Sequence, residues 1–416
     1  MSLDAPTSPP RSLSGVARFV ASVWDYQAPE KTLNLIMTVL AAVCFSYVFV
    51  AVKTVATGTQ LYQYGDFFAL WTSAVVTHGG EPALNYDADA LHLRQVAMGM
   101  HDHAYNPFPY PPTLLLLLAP LGRFGIGAEF CLFMIPSFAL YLWAMVGGRL
   151  RDAQWAIAAA VAPATGIVII SGQSGFLSGA LMIGGLRLAG SRPILSGVLF
   201  GLLTYKPQLG VLVPFALVAA GLWRTIAAAC VTVVVGVIAS SLVYGVEIWP
   251  LWFGSITEYA GRFSIVVELM PTIYANALML GAPRGVALAA QLLVAVPVVV
   301  IVWRAFRAGP TPQACALLLA GTFLATPHAF NYDMPMLTAA VVWYVEQRYR
   351  ASRSLDIGEI VSLFLVIALP VAMLVVRGTG FAFTWAPELL LFLLIARSRA
   401  ELAARTRPLA AEPVAV

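Results

Sequence analysis

Five side chains far apart in this sequence could together move a group from a phosphate to a hydroxyl. They are the carboxylate of Asp66, the amides of Gln173 and Asn331, the ammonium of Lys206 and the imidazole of His328. A carboxylate made more basic by burial can take the proton of an attacking hydroxyl. Cations and amide donors can hold the charge that develops on a departing phosphate. Each residue also has a plainer reading. Asp66 opens the pattern Asp66-Phe67-Phe68-Ala69-Leu70-Trp71 and could simply cap a helix. Lys206, one of three lysines, lies in an apolar stretch, where an ammonium marks a functional position or else snorkels to the interface. His328 could be a satisfied structural histidine.

Aromatic and acidic residues supply candidate contacts for an acceptor or a lipid: Tyr64, Trp71, Tyr105, Tyr110 and Glu258. Tyr105 and Tyr110 belong to Tyr105-Asn106-Pro107-Phe108-Pro109-Tyr110-Pro111-Pro112, the densest proline cluster in the chain. Proline restrains its predecessor to extended geometry, so this is a stiff entry into the following apolar run. The run His101-Asp102-His103 is too short to close a metal site and matches no recurring zinc spacing, so no metal is expected. No Gly-x-Gly-x-x-Gly or phosphate-loop lysine motif is present. Neither a nucleotide nor another cofactor is therefore expected, and the energy for transfer has to arrive with the donor.

The elements that must position these residues belong to a membrane. The chain is 60% hydrophobic and only 11% charged, against about a quarter charged in soluble domains. Strong apolar runs cover residues 33–52, 124–147, 155–170, 225–244, 285–303, 314–326 and 361–376. Shorter ones cover 176–186, 194–205, 208–221, 334–345 and 383–396, and 112–121 reads as re-entrant or as half of a hairpin. The fold class is all-α and polytopic, with about ten to thirteen membrane segments, some of them short enough to be tilted or broken. Residues 1–32 and 397–416 read as cytoplasmic tails around one membrane domain, 33–396. The four cysteines lie in apolar stretches without paired spacing and imply no disulfide framework.

Charge sets the orientation. Arginines recur at every second connection: 149 and 151, 187 and 192, 224, 304 and 307, 348 to 353, and 397 to 407. The positive-inside rule assigns those to the cytoplasm. Residues 53–111, 171–175, the neighbourhood of Lys206, 245–283, 326–333 and 378–379 are then external. Trp249, Trp252, Phe253, Tyr259 and Phe263 in the second long external segment fit either an interfacial helix or a connecting helix packed on the bundle. The five candidate residues thus share the outward half of the molecule. That suits transfer of a sugar from a lipid-linked phosphate. A lipid or solute transporter is the alternative, since broken helices and embedded polar groups fit that class too.

The tracts Gly65-Asp66-Phe67-Phe68-Ala69-Leu70-Trp71, Gly80-Glu81-Pro82-Ala83-Leu84-Asn85-Tyr86, Tyr110-Pro111-Pro112, Gly172-Gln173, Lys206-Pro207 and Thr326-Pro327-His328 resemble glycosyltransferase family 87 over roughly residues 33–396. The resemblance implies a membrane glycosyltransferase C (GT-C) fold with a long first external loop. It also implies inverting transfer of mannose from a polyprenyl-phosphate donor to a lipid or lipid-linked glycan at the outer face of the inner (plasma) membrane. By the same resemblance Asp66 matches the catalytic base, Lys206 and His328 match polar positions near the donor phosphate, and Gln173 matches a substrate-facing amide.

Overall fold

A computed structural model describes residues 30–57, 65–100, 106–147, 153–262, 267–352 and 355–405. Among these the chain is helical, with no strand. In chain order the helices are α1 (Glu30–Thr57), α2 (Phe67–His78), α3 (Ala88–Ala97), α4 (Pro112–Leu118), α5 (Ile126–Val146), α6 (Ala153–Val161), α7 (Pro163–Ser171), α8 (Gly175–Leu188) and α9 (Pro193–Leu203). They continue as α10 (Val213–Ala219), α11 (Trp223–Tyr244), α12 (Ile248–Arg262), α13 (Ile273–Met279), α14 (Arg284–Phe306), α15 (Pro312–Ala325), α16 (Pro335–Ser352), α17 (Ile357–Val375) and α18 (Ala386–Arg405).

Four of these, α5, α11, α14 and α17, are long and apolar enough to cross a membrane by length and composition. The 22 residues of α11, at the helical rise, span about 33 Å. A fifth span forms if α6 and α7 are one crossing, bent by 52° where Ala162-Pro163 interrupts the ladder. Among the described residues α2, α8, α9 and α15 are apolar but shorter, α15 (Pro312–Ala325) having 14 residues where the sequence suggests a strong span, and proline stands in the first turn of several helices, including α4, α7, α9 and α15. The stretch 112–121 forms α4 and a following 3₁₀ turn (Ala119–Leu121), which precedes α5.

The bundle is organised around α15. Every residue from Ala314 to Ala325 is buried, and the helix packs on α14, α16 and α18. On the other side α5 packs on α8, α8 on α9, and α9 on α11. Helix α11 by contrast leaves Val231, Val235, Ile238 and Leu242 exposed, as befits a surface that faces lipid tails rather than protein. Helix α12 lies on the loop before α4, where Trp252 Nε1 donates to the Pro109 carbonyl at 3.1 Å. That contact ties the helix to the loop, while Leu251, Phe253 and Ile256 remain exposed as an apolar face.

Candidate active site

The site forms where α2 begins against the end of α7. Gly172 ends α7 in the left-handed conformation, its amide donating to the Val168 carbonyl. Gln173 follows in the turn before α8. Gly65 brings the other strand of chain alongside. Its φ is +55°, and a Cβ there would stand 2.6 Å from the Ile170 carbonyl oxygen, so only glycine fits. The approach is sealed by the Asp66 amide donating to the Ser171 carbonyl at 2.7 Å.

Asp66 occupies the cap position of α2, but its side chain caps nothing. Instead its Oδ2 accepts from Gln173 Nε2 at 3.1 Å, and Gln173 Oε1 accepts from the Tyr110 hydroxyl at 2.8 Å. The amide orientation follows from chemistry: a carboxylate only accepts, so it must face the amide nitrogen. Asp87, by comparison, does cap α3, accepting from the Ala90 amide at 3.0 Å.

A second polar unit lies beside the first. Lys206 is 3% exposed, and its Nζ donates to Asp333 Oδ1 at 2.7 Å. Asp333 Oδ2 accepts in turn from the Phe330 amide at 3.1 Å. The ammonium lies 5.0 Å from the Tyr332 ring centre and 5.9 Å from that of Tyr110, within reach of a cation–π attraction. Tyr110 thus touches both units, with its hydroxyl on Gln173 and its ring toward Lys206. Tyr205 supports Tyr110 from 6.1 Å between ring centres and donates its own hydroxyl to the Ser174 carbonyl.

Electrostatically the two units differ. Burial raises the Asp66 carboxyl above the ordinary aspartate range, and the Gln173 hydrogen bond and the Lys206 charge only partly offset it. Burial lowers the His328 imidazole, with Asp333 pulling the other way and Lys206 reinforcing the drop. Burial also pushes the Tyr110 and Tyr332 phenols upward, which keeps them neutral donors.

Of the residues singled out from the sequence, Asp66, Gln173, Tyr110 and Lys206 come together. Lys206 does not snorkel; it is buried and already paired. His328 lies at the edge, lining an open cleft with its ring 5.2 Å from Phe330. Asn331 is buried, and its amide donates to the Pro370 carbonyl at 3.4 Å, a contact between its loop and α17. Trp71 donates to the Phe124 carbonyl and packs on Phe68, a structural role between α2 and α5. Tyr64, Tyr105, the run 101–103 and the side chain of Glu258 lie outside the described residues. Among the described residues no three His, Cys, Asp or Glu side chains converge on a metal-sized space. Asp333 and Tyr332 are the members that sequence reasoning missed. The available signal was charge balance, because a lysine in an apolar run needs an acid and Asp333 opens the next apolar segment.

The family model for glycosyltransferase family 87 matches residues 108–327, just over half of the chain. No curated protein and no solved structure matches. The matched range holds Tyr110, Gln173 and Lys206, whereas Asp66, His328 and Asp333 fall outside it. The fold therefore joins matched and unmatched residues in one site.

Proposed function

The chain belongs to glycosyltransferase family 87, and we propose on that footing that it transfers a sugar, mannose by the resemblance, from a polyprenyl phosphate to a hydroxyl of a lipid or lipid-linked glycan. The reaction takes place at the extracytoplasmic face of the inner (plasma) membrane and inverts the anomeric centre, on a GT-C scaffold. The recurrence of arginine at alternate connections supports that orientation.

The observation that carries the reading is the setting of Asp66, a carboxylate steered by Gln173 and made more basic by burial. The acceptor hydroxyl attacks the anomeric carbon and its proton passes to Asp66. The bond between that carbon and the phosphate oxygen breaks, and polyprenyl phosphate leaves with the electron pair. Gln173 holds the carboxylate in line, and Tyr110 fixes Gln173. Lys206, balanced by Asp333, contributes a fixed field rather than a free charge.

Asp66→Asn keeps the size and the Gln173 contact but removes the base. Sugar transfer by purified protein in lipid nanodiscs is expected to fall by roughly 100- to 10,000-fold, with melting temperature and donor binding retained. Wild-type turnover by that variant would remove Asp66 from the chemistry.

A further inference from the structure

The segment that carries Tyr110 forms neither helix nor strand from Asn106 to Tyr110, and side chains hold it instead. Gln95 Nε2 donates to the Asn106 carbonyl at 2.6 Å, the Tyr86 hydroxyl donates to the Tyr110 carbonyl at 3.1 Å, and Trp252 Nε1 donates to the Pro109 carbonyl. Phe108 is wholly buried between the Tyr86 and Tyr110 rings, 6.2 and 5.3 Å away. Pro107, Pro109, Pro111 and Pro112 supply no amide, so the carbonyls are what the fold can grip. One of the three grips comes from α12.

Helix α12 is held at the level of a membrane surface. It follows α11, a candidate span in which only Thr225 and Ser240 are buried. Gly245, at φ +85°, turns the chain at the end of α11, and α12 starts at Ile248. Three residues of extended chain reach about 10 Å at most, so α12 begins close to where α11 leaves the hydrocarbon. Trp252 then meets Pro109, and Thr113, four residues on, packs on Gly236 of α11. Gly236 lies about two turns before the end of that helix. Trp252 therefore stays near the depth at which α11 ends, and α12 packs there on α4 and on the turn Pro82–Tyr86.

One flank of α12 is apolar and open. Ile248 and Ser255 are buried against protein, with Trp252 partly so. Phe253 and Ile256, 60% and 39% exposed, lie with Trp249 on the neighbouring flank, whereas Gly254 is exposed on the other. No charged residue occurs from Ile248 to Ile256, so no side chain in that stretch demands water. The open flank continues the lipid-facing surface of α11, where Leu242 and Val243 are exposed, by way of exposed Val246. Aromatic rings at the rim of such a surface, with no cation to draw an anionic head group, fit the interface of a zwitterionic leaflet.

We propose that α12 is seated in the lipid interface at the end of the bundle that holds the site, with Phe253 and Ile256 in lipid, and that Trp252 transmits this seating to the Tyr110 segment. Trp252 is thus a positioning residue. It fixes Pro109, the neighbour of Tyr110, whose hydroxyl holds Gln173 against Asp66. The transmission rests on the reading of Asp66 as the base of a transferase; the lipid contact does not.

The test uses the full chain, one copy per nanodisc of zwitterionic lipid, so that neither a second copy nor a partner can cover the flank. Spin labels on Phe253→Cys and Ile256→Cys, in a background without the four native cysteines, are expected to collide with dissolved oxygen and to be shielded from a water-soluble nickel complex. A label on Gly254→Cys, where a Cβ meets nothing within 4 Å, is expected to show the reverse. Water exposure at 253 and 256 overturns the seating. Shielding that develops only when two chains share a disc assigns the flank to a second copy and overturns it as well. Trp252→Phe keeps an aromatic ring and removes the donor, and kcat for sugar transfer is expected to fall about threefold to tenfold, the worth of one neutral hydrogen bond, with donor KM and melting temperature retained. Phe253→Ser combined with Ile256→Ser is expected to lower kcat to a similar extent and to cause no further loss on top of Trp252→Phe, because both act through one link. Losses that multiply, a loss confined to KM, or an unchanged kcat in Trp252→Phe overturn the transmission. If the labels report lipid but the wild type transfers no sugar, the transferase reading fails and the seating stands. If transfer proceeds at full rate with 253 and 256 in water, the seating fails and the reading stands.

Discussion

Asp66 works within the field of one group bonded to it and of several beyond. Gln173 bonds to it, Tyr110 and Tyr332 stand close as neutral phenols, and Lys206 acts on it through its charge. Asp333 absorbs much of the Lys206 charge, and His328 sits near that pair. A base must be ionised to act, so transfer is expected to rise with pH through the raised Asp66 value. In Asp333→Asn the ammonium is no longer balanced, the ionised carboxylate is favoured, and the rising limb of the pH–rate profile is expected to move to lower pH. Lys206→Met removes the opposing charge and is expected to move it to higher pH. An unmoved limb in both variants would place the titrating base elsewhere. Asp66, Gln173 and Lys206 were legible because carboxylate, amide and ammonium are conspicuous in apolar surroundings. Asp333 was not, because a carboxylate at the edge of a loop looks solvated until the fold shows what it meets 127 positions away.

At the scale of elements, the turn between α7 and α8 is the keystone. It receives Asp66 through Ser171, carries Gln173, and abuts the loop that holds Asp333. A Cβ on Gly175 would stand 2.0 Å from the Tyr332 carbonyl oxygen, a backbone atom that cannot swing aside. Gly175→Ala is therefore expected to push the 331–333 turn off α8, lowering stability by about 1–3 kcal/mol and activity with it. A thermal melt and a transfer assay on the same preparation check this, and a wild-type melting temperature would contradict the close approach. Most helices were legible from proline and glycine punctuation. Residues 155–170 read as one span, whereas the structure bends them by 52°. Proline marks such a break in sequence, but the angle depends on what packs against each half. The interior position of α15 was equally hidden, because its composition resembles that of lipid-facing helices.

For the whole molecule, the decisive property is which ends of the helices face out. Glu81 and Ser191 lie on exposed connections that charge alternation assigns to opposite sides. In a background without the four native cysteines, Glu81→Cys is expected to react with a membrane-impermeant maleimide in intact cells and Ser191→Cys only after permeabilisation. The reverse pattern would place Asp66 in the cytoplasm. An orientation could be proposed from sequence because arginine placement is a property of sequence. Which short segments cross fully could not, because length alone does not separate a tilted span from a buried half-span. The Lys206–Asp333 pair, finally, imposes an order on synthesis. At about 5–20 residues per second, the ribosome delivers the aspartate on the order of 6–25 s after the lysine. During that interval the nascent segment carries an uncompensated cation that lipid accepts poorly. The pair closes only after residues 331–333 have been made, so the seating of Lys206 is completed after the segments that precede them.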